Sequence, residues 1–373
     1  MAIHYLDNAS TTRVSEAAAL EALRVMREDF GNPSSLHSLG IKALDLLEEA
    51  RGMLAGLVSF ESEVIFTSGG TEADNLALRG AVRAMKRRGN HVVTTAVEHP
   101  AVLNTLKALE AGGEIALDIV PVDRDGRVDL ERFSSCLRPD TVLVSMMLVN
   151  NETGVVQPVR QAVSMAKSAN PECVFHTDAV QGLGKIPVDC GADLIALSGH
   201  KIHAPKGIGA LIKRKGLKLF AQQTGGGQQY GLREGTEMMP AIAALSRAVG
   251  DAVSDMDENN RKIGELFALM RDGIGIAASS ARVMTGGLPH ITTISLPGVP
   301  SEVLMRMLEE DSVYVSSGSA CSRGKRSHVL AAMGLEPGII DSSVRVSLSG
   351  DNCREDIEAL LSSLAKAAKR MGV

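Results

Sequence analysis

The stretch DLIALSGHKIHAPKGIGALI, residues 193–212, decides the fold class. Two apolar runs in it predict strands, and between them lies a Ser-Gly-His-Lys loop that places Lys201 directly after a buried strand. A lysine in such a place must find a partner or lose its charge, because burial disfavours an isolated ammonium group. The stretch therefore predicts a covered sheet with a functional lysine at its edge.

The same pattern extends outward from this stretch in both directions. Between about residues 41 and 250, helical segments at 71–88, 100–111, 129–137 and 157–168 alternate with seven apolar runs: EVIFTS, HVVTTAV, ALDIVPV, TVLVSMMLV, CVFHTD, DLIALS and IGALIK. Strands that alternate with helices are typical of a mostly parallel sheet covered by helices. We expect an α/β fold with a mostly parallel seven-stranded sheet.

The rhythm changes after about residue 255. Helical segments at 257–273, 301–310 and 353–370 then surround the apolar runs HITTISL, VYVSS and SVRVSL. This order predicts a smaller α+β domain at the C-terminal end. We expect a large domain over residues 14–255 and a small domain over residues 256–373, which residues 1–13 join.

Composition and charge exclude several classes of protein. The 373 residues carry a formal net charge of -5, which argues against a nucleic-acid-binding role because that role needs a concentrated basic surface. The N-terminus lacks the apolar core of a signal peptide, and no run reaches membrane-spanning length. Five scattered cysteines without CxxC spacing disfavour a disulfide framework, a zinc site or an iron–sulfur site. We expect a cytoplasmic protein with free thiols and no membrane contact.

Polar residues follow five of the predicted strands. In open α/β sheets ligands bind beyond the carboxyl ends of the strands, so these residues are expected to share one site. In strand order they are Gly70 and Thr71, then His99, then Asn150 and Asn151, then Asp178 and Gln181, and finally Ser198, His200 and Lys201.

Pyridoxal phosphate is the cofactor that uses this whole set. Its aldehyde needs a lysine, and its pyridine nitrogen needs an acidic partner. Its ring needs a flat side chain beside it, and its phosphate needs hydroxyl groups at a helix N-terminus. A nicotinamide or flavin site is disfavoured because no strand precedes a G-x-G-x-x-G motif. A metal site of His176, Asp178, His200 and His203 stays open but leaves the lysine unexplained. For Thr71 and Asp74, a plain capping box is the alternative interpretation.

The order of the motifs resembles one known family. The motifs are YLDNASTT, FGNPSSLHSLG, FTSGGTEADNLAL, VEHPAV, VNNETGVVQP, HTDAVQGLGKIPVD, SGHKIHAPKGIGAL, GGGQQYGLREGT and SSGSACS. Together they are similar to the cysteine desulfurases of the NifS/IscS type, within the class-V group of fold-type-I pyridoxal phosphate enzymes. The resemblance runs from about residue 5 to residue 350.

The resemblance implies a role for each matching residue. Lys201 matches the Schiff-base lysine, Asp178 the partner of the pyridine nitrogen, His99 the imidazole stacked on the ring, and Gln181 the donor to the ring hydroxyl. The phosphate contacts are matched by Gly70, Thr71, Ser198 and His200, and by Thr236 reaching across from the other subunit of a homodimer. Asn151 and Arg345 match the groups that hold the substrate carboxylate, and Asn151 is also expected to contact the cofactor. No metal ligand is assigned.

Cys321 selects the reaction that the resemblance implies. It lies in the small, polar sequence SSGSACSRGKR, residues 316–326, whose cations favour the nucleophilic thiolate. The implied activity removes sulfur from L-cysteine, giving L-alanine and a persulfide on Cys321. That sulfur would serve iron–sulfur cluster assembly or tRNA and cofactor thiolation, through an acceptor such as an iron–sulfur scaffold protein. A selenocysteine lyase, a small-amino-acid aminotransferase and a non-catalytic scaffold remain open.

Overall fold

The computed structural model describes residues 2–284, 286–318 and 326–373. Its strands, in chain order, are β1 (His4–Tyr5), β2 (Ser62–Thr67), β3 (His91–Thr95), β4 (Ala116–Val120), β5 (Thr141–Ser145), β6 (Val174–Asp178), β7 (Leu194–Ser198), β8 (Gly209–Arg214), β9 (Arg282–Met284), β10 (Ile291–Ser295), β11 (Val313–Tyr314) and β12 (Ser343–Ser347).

The helices connect and cover these strands. They are α1 (Glu16–Arg27), α2 (Ser38–Ala55), α3 (Gly70–Met85), α4 (Pro100–Ala111), α5 (Leu130–Cys136), α6 (Val159–Ala169), α7 (Gln228–Gly231), α8 (Met239–Ser254), α9 (Met256–Ala277), α10 (Ser301–Glu310), α11 (His328–Ala332), α12 (Pro337–Asp341) and α13 (Arg354–Met371), with a short 3-10 helix at Gly199–Lys201.

The described residues form a seven-stranded sheet in the order β2-β8-β7-β6-β5-β3-β4. Strand β8 runs antiparallel to both of its neighbours, and the pairs between β3, β4, β5, β6 and β7 are parallel. The carboxyl ends of β2, β3, β5, β6 and β7 therefore meet at one edge. The expectation of an α/β fold with a mostly parallel seven-stranded sheet is confirmed.

Helices cover both faces of this sheet, and the strands are accordingly apolar on both sides. Val64 and Phe66 pack in one core with α1, α2, α6 and α8, whereas Ile65 between them packs in the opposite core with α3 and α4. Successive strand residues point to opposite faces, so a run such as EVIF must be apolar throughout. This is why the strands appear in the sequence as continuous apolar runs.

A separate core lies in the C-terminal part of the chain. It is built from α9, α10, α13, β10 and β12, and it includes Leu6 from the N-terminal segment. The N-terminal segment is held there because β1 pairs with β11 and Asp7 bridges to Ser347. Whether residues 255 and 256 mark the domain boundary stays a prediction.

Two details of local structure differ from expectation. Strand β9 extends the small sheet beside β10, although the short segment RVM carries no alternation from which it could be predicted. The capping-box interpretation of Thr71 is wrong, because α3 begins at Gly70 and its N-cap is Gly69, which offers no side chain.

Among the described helices, none combines the length and the apolar character needed to span a membrane.

Candidate active site

The polar residues predicted from the strand ends converge at one edge of the sheet. Single ligand atoms of Asp74, His99 and Asp178 all lie within 4.8 Å of one another. Asp178 ends β6, His99 precedes α4, and Asp74 lies on α3 above the sheet. This cluster of two aspartates and one histidine, and not the set of His176, Asp178, His200 and His203, is the one among the described residues whose ligand atoms could hold a metal ion.

His99 is a partly buried imidazole. It is the N-cap of α4, where its Nδ1 accepts a hydrogen bond from the N–H of Ala101 at 3.2 Å. An accepting Nδ1 leaves the ring proton on Nε2. Burial lowers the pKa of His99, and although the charge of Asp178 opposes this effect, the net shift is downward. The site therefore offers a flat, uncharged ring at neutral pH.

Asp178 is a buried carboxyl group beside that ring. The N–H of Val180 donates to its Oδ1 at 2.9 Å. Burial raises the pKa of Asp178, and the charges of His99 and Lys201 only partly offset the effect. A cation placed against this carboxylate would remove most of the cost of its burial. Asp178 thus fits the predicted partner of a protonated ring nitrogen.

The opposite end of the site is shaped for an anion. No side chain caps the first turn of α3. A Cβ atom at Gly70 would lie 2.8 Å from Cγ2 of Val180 and 3.5 Å from Cβ of Ser198, so only glycine fits there. The resulting cradle is formed by Gly70, Thr71 and the buried Ser198 at a helix N-terminus, where backbone N–H groups favour a phosphate.

Lys201 ends the short 3-10 helix that follows β7. Its Nζ donates to the carbonyl oxygens of Ala9 and Ser10, each at 2.6 Å. His200, beside it, lies 3.2 Å through Nδ1 from Oγ1 of Thr11. Burial and the charge of Lys201 lower the pKa of His200 to about 4, so His200 is neutral at pH 7.

Gln181 links the same N-terminal segment to a second lysine. Its Nε2 donates to the carbonyl oxygen of Ala9 at 2.9 Å, and its Oε1 accepts from Nζ of Lys185 at 3.4 Å. Burial, together with the charge of Lys201, lowers the pKa of Lys185 to about 7. The sequence interpretation assigned no role to Lys185, although it lies in the quoted motif HTDAVQGLGKIPVD.

Arg345 reaches the site from β12. It is among the largest fully buried side chains, and its Nη1 donates to the main-chain carbonyl of Asn151 at 2.8 Å. Its Nη2 donates to Oδ1 of Asp7 and to Oγ of Ser10. The two residues predicted to hold a carboxylate are therefore neighbours, but the contact uses the backbone of Asn151.

Comparison with known proteins agrees with this arrangement. The profile of the family described as aminotransferase class-V matches residues 4–360.

The chain belongs to the class-V aminotransferase family.

Relatives within this class-V family match over almost their entire length. The chain is 39% identical to "Putative cysteine desulfurase IscS 1" of Bacillus subtilis (strain 168), over 98% of this chain and 99% of the relative. It is also 39% identical to "Cysteine desulfurase" of Sinorhizobium fredii (strain NBRC 101917 / NGR234), over 98% and 97%. The solved structure titled "NIFS-LIKE PROTEIN" superposes with a TM-score of 0.93 at 34% identity, covering 99% of this chain and all of that one.

Thr236, which the class-V resemblance singles out, is not part of this cluster. It is exposed on the segment that precedes α8. Cys321 lies outside the described residues. Of the cations expected to favour its thiolate, Arg326 is described and makes two hydrogen bonds to the carboxylate of Asp341, which offsets its charge.

Glu98 is a buried residue that directly precedes His99, and no role was predicted for it from the sequence. The hydroxyl of Thr95 and the N–H of Met147 donate to its Oε1, at 2.7 and 2.9 Å. Its Oε2 is buried and has no hydrogen-bond partner among the described residues. Burial raises the pKa of Glu98 to about 8, so this carboxyl group stays protonated at neutral pH.

This raised pKa predicts how stability depends on pH. Between about pH 4.5 and pH 8 the native state keeps a proton on Glu98 that the unfolded state has lost. Its contribution to the free energy of unfolding therefore falls as the pH rises, by roughly 1.4 kcal/mol per pH unit at most. Denaturant unfolding at several pH values should show this slope in the wild type, and Glu98→Gln should lack it. Parallel curves for the two proteins would contradict the assignment.

Proposed function

We propose that this protein is a pyridoxal-phosphate-dependent cysteine desulfurase that transfers sulfur from L-cysteine to its own Cys321. The observation that carries the proposal is the convergence of Lys201, Asp178 and His99 at one sheet edge, with the buried cation of Arg345 beside them. Class-V relatives named cysteine desulfurases match the whole chain, which supports the same activity.

The residues present fit pyridoxal phosphate. The cradle of Gly70, Thr71 and Ser198 would hold its phosphate, with His200 as a neutral donor. Asp178 would pair with its ring nitrogen, His99 would cover its ring, and Lys201 would hold its aldehyde carbon. Gln181 keeps a second amide N–H beyond the one given to Ala9, which could serve the ring hydroxyl. When bound, the cofactor supplies an acceptor for the electrons released at the substrate Cα.

The substrate is oriented by its carboxylate. Arg345 presents a fork of donors that suits a carboxylate, and the protein excludes water around it because the side chain is 2% exposed. This contact turns the Cα–H bond of cysteine toward Lys201, whose Nζ takes the proton. His99 can pass the proton on its Nε2 to the substrate amine or thiol, since its lowered pKa favours the neutral ring.

Sulfur transfer is assigned to Cys321. Its thiolate attacks the substrate sulfur: the new S–S bond forms, the C–S bond breaks, and the electron pair of that bond stays with the substrate carbon. Protonation of that carbon, and return of a proton from Lys201 to Cα, then give alanine. The persulfide passes to an acceptor protein, for which the resemblance suggests an iron–sulfur scaffold or a thiolation partner. We place the reaction in the cytoplasm, where unpaired thiols such as the four described cysteines persist.

The visible absorption spectrum of the purified protein tests this function directly. With pyridoxal phosphate bound, we expect a yellow band that changes when L-cysteine is added, together with the release of sulfide in the presence of a thiol reductant. A band that responds to other amino acids but releases no sulfide would favour the aminotransferase. Absence of any band after the cofactor has been supplied would leave the non-catalytic scaffold.

We further propose that the active unit is a homodimer. Helices α1 and α2 pack on α8. These two helices and the segment between them expose several large apolar side chains, and exposed apolar patches of this kind often mark a protein–protein interface. This apolar surface consists of Leu20, Leu23, Met26, Phe30, Leu36, Leu39, Ile41 and Leu44. A second copy on this surface would bury it and could bring Thr236 to the partner's phosphate cradle.

Placing charges on this surface should dissociate the dimer. We expect the double variant Leu23→Glu with Met26→Glu to sediment as a monomer and to bind pyridoxal phosphate more weakly, because two carboxylates would have to be buried at the interface. The matched control is Ile276→Glu, which changes a 90% exposed apolar residue at the end of α9. The control should sediment like the wild type. A double variant that remains dimeric would place the interface elsewhere.

A further inference from the structure

The guanidinium group of Arg345 already holds a carboxylate of the protein itself. Its Nη2 donates to Oδ1 of Asp7 at 2.8 Å and to the hydroxyl of Ser10 at 2.6 Å. The Ser10 hydroxyl in turn lies 2.8 Å from Oδ1 of Asp7, so the three groups form a closed triangle. A buried cation needs such a partner, because an uncompensated charge at 2% exposure is costly.

The geometry of a guanidinium group makes this contact exclusive. Two N–H bonds run parallel at only two edges, Nε with Nη2 and Nη1 with Nη2, and both edges include Nη2. In Arg345, Nη2 donates to both Asp7 and Ser10. The Nε group is buried and has no hydrogen-bond partner among the described residues. A ligand carboxylate that takes two N–H groups at either edge must therefore compete at Nη2 with the pair formed by Asp7 and Ser10.

We propose that Asp7 occupies the place of the substrate carboxylate on Arg345 and competes with it for the guanidinium group. This inference rests on the proposed function and adds a residue that determines specificity. An α-amino acid brings a carboxylate that replaces Asp7, so the buried cation is paired both before and after binding. A simple amine brings none, and Asp7 then keeps its place on Arg345.

The segment that contains Asp7 also contacts Lys201. Residues 7–10 form one short segment: Asp7 and the Ser10 side chain contact Arg345, while the carbonyls of Ala9 and Ser10 accept from Nζ of Lys201. When a ligand displaces Asp7 from Arg345, the segment whose carbonyl oxygens hold Nζ of Lys201 loses one of its contacts. Recognition of the substrate carboxylate is thereby connected to the position of Lys201 through four consecutive residues.

Equilibrium binding of two ligands to the holoenzyme tests this proposal. L-alanine and ethylamine differ by the carboxylate alone, and both can be titrated through the visible band of the bound cofactor. In Asp7→Asn, which keeps the shape and an acceptor oxygen, we expect the Kd for L-alanine to fall about tenfold. The Kd for ethylamine should stay within about twofold of the wild-type value, because ethylamine does not use Arg345.

A matched control separates direct competition from a general change in charge. Asp351 has a side chain that is 72% exposed, lines the cleft between the two domains and pairs with His203 rather than with Arg345. Asp351→Asn removes the same charge and should leave both Kd values unchanged. A tenfold fall in the control as well would overturn the proposal, as would an equal fall for ethylamine in Asp7→Asn.

Thermal unfolding of the cofactor-free protein gives an independent readout. Asp7→Asn should lower the Tm, because Arg345 loses its counter-charge in the free protein, and saturating L-alanine should restore part of the loss in the holoenzyme. A lower Tm with an unchanged Kd for L-alanine would mean that the Asp7–Arg345 pair is only structural, which overturns the competition. A wild-type holoenzyme that ignores L-alanine would instead contradict the proposed function.

Discussion

Replacing Lys201 with alanine should abolish desulfuration and leave the cofactor without a covalent bond to the protein. The amine both holds the cofactor and moves the Cα proton, and loss of a positioned acid–base group alone costs roughly 10²–10⁴-fold in rate. The native protein is first treated with borohydride, then denatured and passed through gel filtration. This procedure should remove pyridoxal phosphate from Lys201→Ala, whereas in the wild type the cofactor should stay attached to the chain.

Two further variants separate this chemistry from structure. Lys201→Arg keeps a cation that can donate to the carbonyls of Ala9 and Ser10, so it should retain the wild-type Tm while remaining inactive. Lys185→Met removes the neighbouring amine, whose pKa is lowered to about 7, without touching the predicted cofactor bond. Its rate should fall less than tenfold. A Lys201→Ala protein that turned over cysteine at the wild-type rate would exclude Lys201 as the catalytic amine.

Replacing Cys321 with alanine should have the second large effect, and a more selective one. We expect persulfide formation and sulfide release to fall by at least about 10³-fold, because a covalent sulfur acceptor cannot be replaced by a methyl group. The visible band and its response to L-cysteine should remain, since the residues assigned to the cofactor are unchanged. Mass spectrometry of the protein after incubation with cysteine should find the added sulfur only when Cys321 is present.

The other cysteines provide the controls for that experiment. All four have a raised thiol pKa: burial raises the pKa of Cys136, of Cys190 and, to about 12, of Cys173, and a hydrogen bond with Glu355 raises that of Cys353. Few thiolates therefore form on them at neutral pH. Cys353→Ala, which changes the one exposed thiol among the described residues, should keep full activity. Full sulfur release by Cys321→Ala would disprove the desulfurase assignment.

The sheet and one edge of the site could be predicted because their signals are local. Continuous apolar runs reveal strands that are buried on both faces, and the polar residue after each run marks the edge where ligands bind. Asp178 ends its strand, His99 and Lys201 follow theirs within a few positions, and the structure brings them to that edge. Asp74 gave a misleading signal, because its spacing from Thr71 matches a capping box while its side chain turns toward the sheet.

The partners of Arg345 and Lys201 could not be predicted in the same way. Asp7 lies 338 residues from Arg345, and Ala9 lies 192 residues from Lys201. No periodic pattern extends across such separations, because hydrophobic periodicity reports only which face of a single element is buried. Asp7 stood in a quoted motif, yet nothing in the residues around it indicated a guanidinium partner.

Local patterns in the residues are enough to predict the seven strands of the large sheet, the edge at which polar groups collect, and a lysine at that edge with a chemical role. The folded chain alone brings residues 7–10 between Arg345 and Lys201, where they contact both. It does so because β1 pairs with β11 while Leu6 packs in the C-terminal core. Those long-range contacts place the N-terminal segment across the site, where local patterning has no influence.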